Sequence, residues 1–253
     1  MIDLHSHLLP GVDDGSRTVE QSVGVLRRMA ELGITDVCLT PHLKANETAH
    51  APPARHDDAY AALSAQAPEL PRLHRGAEVM LDRPLPITGE RLQRIGLGGT
   101  RYILVEFPRL VSAEAVTNAL TRVQEGGLCA VLAHPERYSA CSVEAVTYWR
   151  SLGARMQVDA TTLHSTQLRG QRARQLVAAG LADILAGDNH GDDRSIAGGA
   201  DFLRAQDGIE QAELLTARNP GAILRDAPLE DVPPLAIRRS WMQRIRRLLG
   251  GEP

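Results

Sequence analysis

Short apolar runs recur along the chain at about 1–5, 36–40, 75–81, 102–107, 128–133, 155–159 and 183–187, most of them separated by longer stretches of helical periodicity. The short runs read as buried strands, because a strand covered on both faces loses its alternation, while a helix lying on a sheet keeps one apolar stripe. After Ser16 and Thr18 as caps, Val19, Val23, Leu26 and Ala30 predict the first helix, and Gly33 supplies its stop. Gly126, Gly153 and Gly180 stop later helices in the same way. Residues 43–58, with Pro52, Pro53 and many polar side chains, read as one long loop. About seven βα units with no Gly- or Pro-rich linker between them require a parallel sheet with crossovers, for which closure into a barrel is the economical solution.

Composition narrows the class. With 253 residues and 43% hydrophobic content the chain can bury a full core, and its net charge of −3 argues against general nucleic-acid binding. Apolar runs fall short of membrane-spanning length and no secretory signal is visible, so a soluble, cytoplasmic protein is expected. Cys38, Cys129 and Cys141 are too few and too scattered for a disulfide framework, and none has an arginine six positions later. The cysteine-nucleophile phosphatase loop is therefore absent.

Candidate chemistry gathers at the strand ends. His5 and His7 are two apart, so an extended strand turns both imidazoles to one face, where they can close on one cation. His42 follows the second run, Glu78 lies late in the third and Glu106 ends the fourth. His134 closes the fifth run, and Asp188 and His190 close the seventh. In a β/α barrel the carboxyl ends of the strands meet at one mouth, so residues spread along most of the chain converge there.

These segments resemble a known family. His5-x-His7, the Leu9-Pro10-Gly11-Val12-Asp13-Asp14-Gly15 turn, Thr40-Pro41-His42, Gly76-x-Glu78, Val105-Glu106-Phe107-Pro108, Ala133-His134-Pro135-Glu136-Arg137-Tyr138 and Asp188-x-His190 look like the polymerase-and-histidinol-phosphatase (PHP) superfamily. Within it they most resemble the manganese-dependent bacterial protein-tyrosine phosphatases of capsule and exopolysaccharide loci, and the match runs from residue 2 to about 195. The stretch Met156 to Thr162, the loop after His42, and Asn189 between the last two ligands depart from that pattern.

The resemblance implies a distorted seven-stranded TIM-like barrel with three divalent ions. His5, His7, Glu78 and Asp188 would hold the first, Glu78, Glu106 and His134 the second, and Asp14, His42 and His190 the third. Four carboxylates against three divalent ions leave a net charge of about +2, attractive to a phosphate dianion. Mixed imidazole and carboxylate donors suit manganese, iron or zinc, and manganese rests on the family alone. Hydroxide generated on the ions would attack phosphorus in line, with Arg137 and Arg194 completing the phosphoryl clamp. Asp13 is an alternative to Asp14; Asp3 and Glu136 are candidate supports for ligands; Asp159 has no matched role. His50, His56, His74 and His164 read as solvated or core histidines.

The expected organisation is one barrel domain over 1–235 and a basic amphipathic helix over 236–253. In that tail Ile237, Trp241, Ile245 and Leu248 form a stripe among Arg238, Arg239, Arg244, Arg246 and Arg247. It is a candidate for contact with an anionic membrane or an acidic partner, for docking on the barrel, or for homo-oligomer contacts. Three functions are open, in order. The first is phosphotyrosine hydrolysis on a membrane-bound bacterial tyrosine autokinase controlling polysaccharide export. The second is hydrolysis of a small phosphorylated metabolite such as histidinol phosphate, and the third a non-catalytic metal-stabilised scaffold that binds the kinase. A metal-dependent amidohydrolase is a more distant alternative.

Overall fold

The computed structural model describes residues 1–85 and 90–238. Its strands are β1 (Ile2–Ser6), β2 (Asp36–Leu39), β3 (His42–Lys44), β4 (Arg72–Arg75), β5 (Glu78–Met80), β6 (Tyr102–Glu106), β7 (Cys129–Ala133), β8 (Arg155–Asp159) and β9 (Ile184–Ala186). All pair in parallel, in the orders β1-β2-β4 and β3-β5-β6-β7-β8-β9. Thr40-Pro41 joins β2 to β3 and Gly76-Ala77 joins β4 to β5, so these four strands form two kinked staves, and the seven expected runs become seven staves. The kinks fall side by side: Gly76 N–H donates to Leu39 O and Glu78 N–H to Pro41 O, carrying the pairing across the break.

A parallel bridge between Ser6 and Asn189 closes the ring, with His7 N–H donating to Asn189 O at 2.7 Å. Asp3 pins the same seam: its buried carboxylate accepts from the backbone N–H of His5 and of Gly187. A Cβ on Gly187 would sit 2.7 Å from Asp3 Oδ2, so only glycine lets the two chains approach this closely.

Helices cover the outside. They are α1 (Val19–Glu31), α2 (Ala54–Ser64), α3 (Glu90–Gln93), α4 (Ala113–Glu125), α5 (Val143–Ser151), α6 (Leu168–Ala178), α7 (Ile196–Arg204), α8 (Ile209–Glu213) and α9 (Asn219–Leu224). Thr18, not Ser16, caps α1 through Gln21 N–H, and Ser112, Ser142 and Ser195 cap α4, α5 and α7. The buried stripe of α1 runs through Ser22, Val23, Val25, Leu26 and Met29, leaving Val19 and Ala30 at its edges. The segment 43–58 corrects the sequence reading. It holds β3, a 3-10 turn over Ala45–His50 and the start of α2, whose buried residues are only His56 and Leu63, too few to give a clear periodic signal.

Residues 226–238 run on without helix, burying Val232 and Leu235. The amphipathic helix expected over 236–253 lies, from residue 239 onward, outside the described residues.

Burial pushes the Asp3 carboxyl up to about 7, yet two backbone donors depend on it. Asp3→Ala orphans both inside the seam and is expected to cost about 2–4 kcal/mol, whereas Asp3→Asn, which keeps an acceptor, costs less than half as much. Urea denaturation of the metal-free protein checks the ordering; equal losses would refute it.

Candidate metal centre

The nine candidate ligands converge at the carboxyl mouth of the staves. His5 and His7 are fully buried, with their Nε2 atoms 3.2 Å apart. Glu78, at the start of β5, puts Oε2 3.1 Å from His5 Nε2 and 3.2 Å from both His7 Nε2 and His42 Nδ1, and Oε1 3.0 Å from His134 Nε2. Glu106, the last residue of β6, lies 3.2 Å from His42 Nδ1. Asp14 reaches His42 Nε2 at 3.3 Å and His190 Nε2 at 3.5 Å, with 71% of its side chain exposed.

Asp188 divides its two oxygens. Oδ1 faces His5, His7 and His190 at 3.3, 3.3 and 3.5 Å, while Oδ2 faces Arg137 at 2.6 Å and Arg194 at 3.6 Å. His134 and Asp188 both adopt left-handed backbone conformations, with φ of 34° and 49°. Such strain in non-glycine residues persists where surrounding structure imposes it, commonly at functional sites.

Four sets of donors form, each with its atoms within 4.8 Å of one another: His7, Asp14, His42 and His190; His5, Glu78 and His134; His5, His7 and Asp188; and His42, Glu78 and Glu106. The set fits divalent cations. Two imidazole nitrogens 3.2 Å apart repel each other unless a proton or cation lies between them, and here buried carboxylates converge on the same point.

The titration of the groups says the same. Burial alone would keep His5 neutral, yet Glu78 and Asp188 raise it to about 9. His7 is raised well above its ordinary value, against burial, by Asp13, Asp188 and Glu78. Glu78 is held well below the usual carboxylate range, against its burial, by His5, His134 and His7. Without metal, protons supply the positive charge this cluster requires.

Several supports escaped the sequence reading. Gln157 Oε1 lies 2.9 Å from His5 Nδ1, so a neutral acceptor directs the Nδ1 proton away and leaves Nε2 facing the mouth. Asp13 does the corresponding work for His7, 2.8 Å from its Nδ1, and also accepts from the N–H of Gly15 and His42. It therefore stands behind a histidine instead of taking the place of Asp14. His7 leaves no room for a side chain at Gly15, where a Cβ would lie 2.0 Å from His7 O. Asp159 holds the Arg137 guanidinium together with Asp188.

Among the described residues Glu136 makes no hydrogen bond or ion pair with a candidate ligand side chain. It is buried, accepts from Asp159 N–H and Thr162 Oγ1, and is pushed up to about 8 by burial and by Asp159. Asn189 braces the following loop through Asp192 O, Arg194 O and Gly191 N–H. The other histidines stay away from the cluster: His50 is exposed, His56 is buried in α2, His74 pairs with Asp36, and His164 meets Gly198 O.

A cavity of about 250 Å³ opens over the site, lined by residues that include Glu106, His134, Arg137, Arg194 and Arg109. The sequence profile of the capsular polysaccharide synthesis family CpsB/CapC matches residues 1–225. The chain belongs to the CpsB/CapC family. Among its CpsB/CapC relatives, the tyrosine-protein phosphatase CpsB of Streptococcus agalactiae serotype V is 25% identical over 246 residues, covering 89% of this chain and 99% of that protein. A chain from the crystal structures of YwqE from Bacillus subtilis and CpsB from Streptococcus pneumoniae, metal-dependent tyrosine phosphatases, matches with a TM-score of 0.75 at 26% identity. That match covers 94% of this chain and 100% of that one. A D-hydantoinase shares the barrel alone, at a TM-score of 0.50 and 11% identity over 93% of this chain and 73% of that one.

Two outcomes test this geometry. Gln157→Leu removes the acceptor behind His5 and is expected to weaken manganese binding about 10- to 100-fold in a calorimetric titration, with Gln157→Glu restoring it. Unchanged affinity in the leucine variant would refute the role. The second outcome concerns metal-free stability. His5 is raised from 6.5 to about 9, so the stability it adds is complete below about pH 6.5 and lost as pH climbs through about 9. Asp3 and Glu136, raised to about 7 and about 8, also make stability fall as pH rises. The protein in chelator therefore melts lower at pH 9 than at pH 6.5; a midpoint that rises or stays level contradicts this.

Proposed function

We propose that this chain is a metal-dependent protein-tyrosine phosphatase whose substrate is phosphotyrosine in a membrane-bound bacterial tyrosine autokinase of capsule or exopolysaccharide synthesis. The observation that carries the reading is the nine-residue donor cluster at the barrel mouth of a CpsB/CapC chain. The reading places the protein in the cytoplasm, where an autokinase of this kind presents its phosphotyrosines. No helix among the described residues is long and apolar enough to cross a membrane.

His5, His7, Glu78 and Asp188 would hold one divalent ion, Glu78, Glu106 and His134 a second, and Asp14, His42 and His190 a third, with manganese the first choice and iron or zinc the alternatives. Such ions supply Lewis acidity, neutralising phosphoryl oxygens and acidifying water. The chain's own groups do the rest. Arg137, fixed by Asp159 and Asp188, presents a held guanidinium to the cavity, where it orients the phosphoryl group without reorganising as charge develops. Arg194, 3.6 Å from the same Asp188 oxygen and paired with Asp192, adds a second donor.

A thiolate nucleophile is disfavoured on physical grounds. Burial raises the Cys38 and Cys141 thiols to about 12 and Cys129 to about 11, and none of the three lines the cavity.

The test compares phosphate release from a phosphotyrosine peptide and from histidinol phosphate by protein stripped with chelator and then restored with manganese. The reading expects peptide turnover only with metal. Turnover of the small ester alone would favour a metabolite phosphoesterase, and no turnover of either by metal-loaded protein would favour a scaffold. Arg137→Ala is expected to lower kcat on the peptide about 10²- to 10³-fold, with Arg137→Lys recovering only part. A loss confined to KM would refute the role in the transition state.

A further inference from the structure

The loop after β6, residues 107–111, presents two side chains that the proposed chemistry leaves unused. Arg109 lines the same cavity as His134, Arg137 and His190, is exposed, and has no ion-pair or side-chain hydrogen-bond partner among the described residues. Arg137 and Arg194, by contrast, are both engaged with Asp188. Beside Arg109 stands Leu110, with 89% of its surface in solvent.

The loop has a fixed register against the site. Phe107 N–H donates to the Tyr138 hydroxyl at 3.2 Å, Ser139 N–H to Arg109 O at 2.9 Å, and Ser139 Oγ to Val111 O at 3.3 Å. It is thereby tied to the segment that bears His134 and Arg137. The backbone of Arg109 thus keeps its place at the rim of the mouth, with its exposed side chain free to meet a ligand there.

Cavity size says what reaches that rim. Pockets enclosing drug-sized ligands run to roughly 300–1,000 Å³. A cavity of about 250 Å³ encloses a phosphorylated side chain and leaves the adjoining peptide outside. The peptide then passes Arg109 and Leu110.

Resting on the phosphatase reading, we propose that Arg109 is a specificity residue whose guanidinium takes the carboxylate of an acidic residue flanking the phosphotyrosine. The phosphoryl group itself is met deeper in the cavity by Arg137 and Arg194. The rigid fork of an arginine matches a carboxylate in a bidentate pair. A rim pair of this kind is partly solvated, so its effect is a few-fold preference that salt weakens.

The experiment uses the full chain loaded with manganese, as wild type, Arg109→Ala and Arg109→Glu. Two phosphotyrosine peptides differ only in carrying Glu or Gln beside the phosphotyrosine. The first readout is the ratio of kcat/KM for the acidic over the neutral peptide, at low and at high salt. The second is the ratio of equilibrium affinities by fluorescence anisotropy. Wild type is expected to prefer the acidic peptide about three- to fivefold, through KM and mainly at low salt. Arg109→Ala brings the ratio close to one, and Arg109→Glu inverts it. The same ratio in all three proteins overturns the proposal, and so does an equal loss on both peptides, which would make Arg109 part of the phosphoryl clamp. If no protein releases phosphate, the phosphatase reading fails, and the affinity ratios alone then uphold or overturn the role of Arg109.

Discussion

Glu78 is a carboxylate buried to 1% exposure with imidazole nitrogens of His5, His7, His42 and His134 within 3.2 Å of its oxygens. Burying such a group without compensating positive charge is prohibitive, and burying the imidazoles of His5, His7 and His134 beside it is costly unless something sits among the nitrogens. Protons do so in the metal-free protein, which is why His5 and His7 are raised. Divalent cations do so better, because each satisfies several donors at once. The supports around the cluster follow from that requirement: Asp13 behind His7, Gln157 behind His5, and Asp188 shared between histidines and arginines.

The barrel makes this concentration of charge tolerable. Its staves pack an apolar interior beneath the mouth, with Leu4, Cys38, Leu104, Val131 and Ile184 in one buried cluster, so the polar groups meet only at the strand ends. Kinks at Thr40-Pro41 and Gly76-Ala77 redirect the second and third staves just below His42 and Glu78, and left-handed backbones at His134 and Asp188 turn those residues at the ends of theirs. Regular geometry is given up where ligands must converge, while the seam at Asp3, Gly187 and Asn189 holds the ring together.

The convergence of the candidate ligands other than Asp14 was legible because each lies at the end of an apolar run, and the parallel topology sends every such end to one mouth; Asp14 came with the family resemblance alone. Seven staves were legible for the same reason, since buried strands advertise themselves by continuous hydrophobicity. Gln157 and Asp159 were not, because their roles arise only when ring closure brings β8 within one stave of β1 and beside the loop of Arg137, proximities that a linear pattern does not encode. Helix α2 was hidden by its small apolar face, and the choice of Asp14 over Asp13 became a physical one only when Asp13 was found behind His7. Arg109 gave no sequence signal, because what distinguishes it is a partner it lacks among the described residues.

On this reading the nine residues at the mouth would form one polynuclear metal centre. Anomalous X-ray diffraction at the manganese edge, on crystals of the full chain grown with manganese, tests it most directly. Three peaks are expected inside the cluster, one among His5, His7, Glu78 and Asp188, one among Glu78, Glu106 and His134, and one among Asp14, His42 and His190. A mouth without peaks, or ions bound only at surface carboxylates elsewhere, would contradict it.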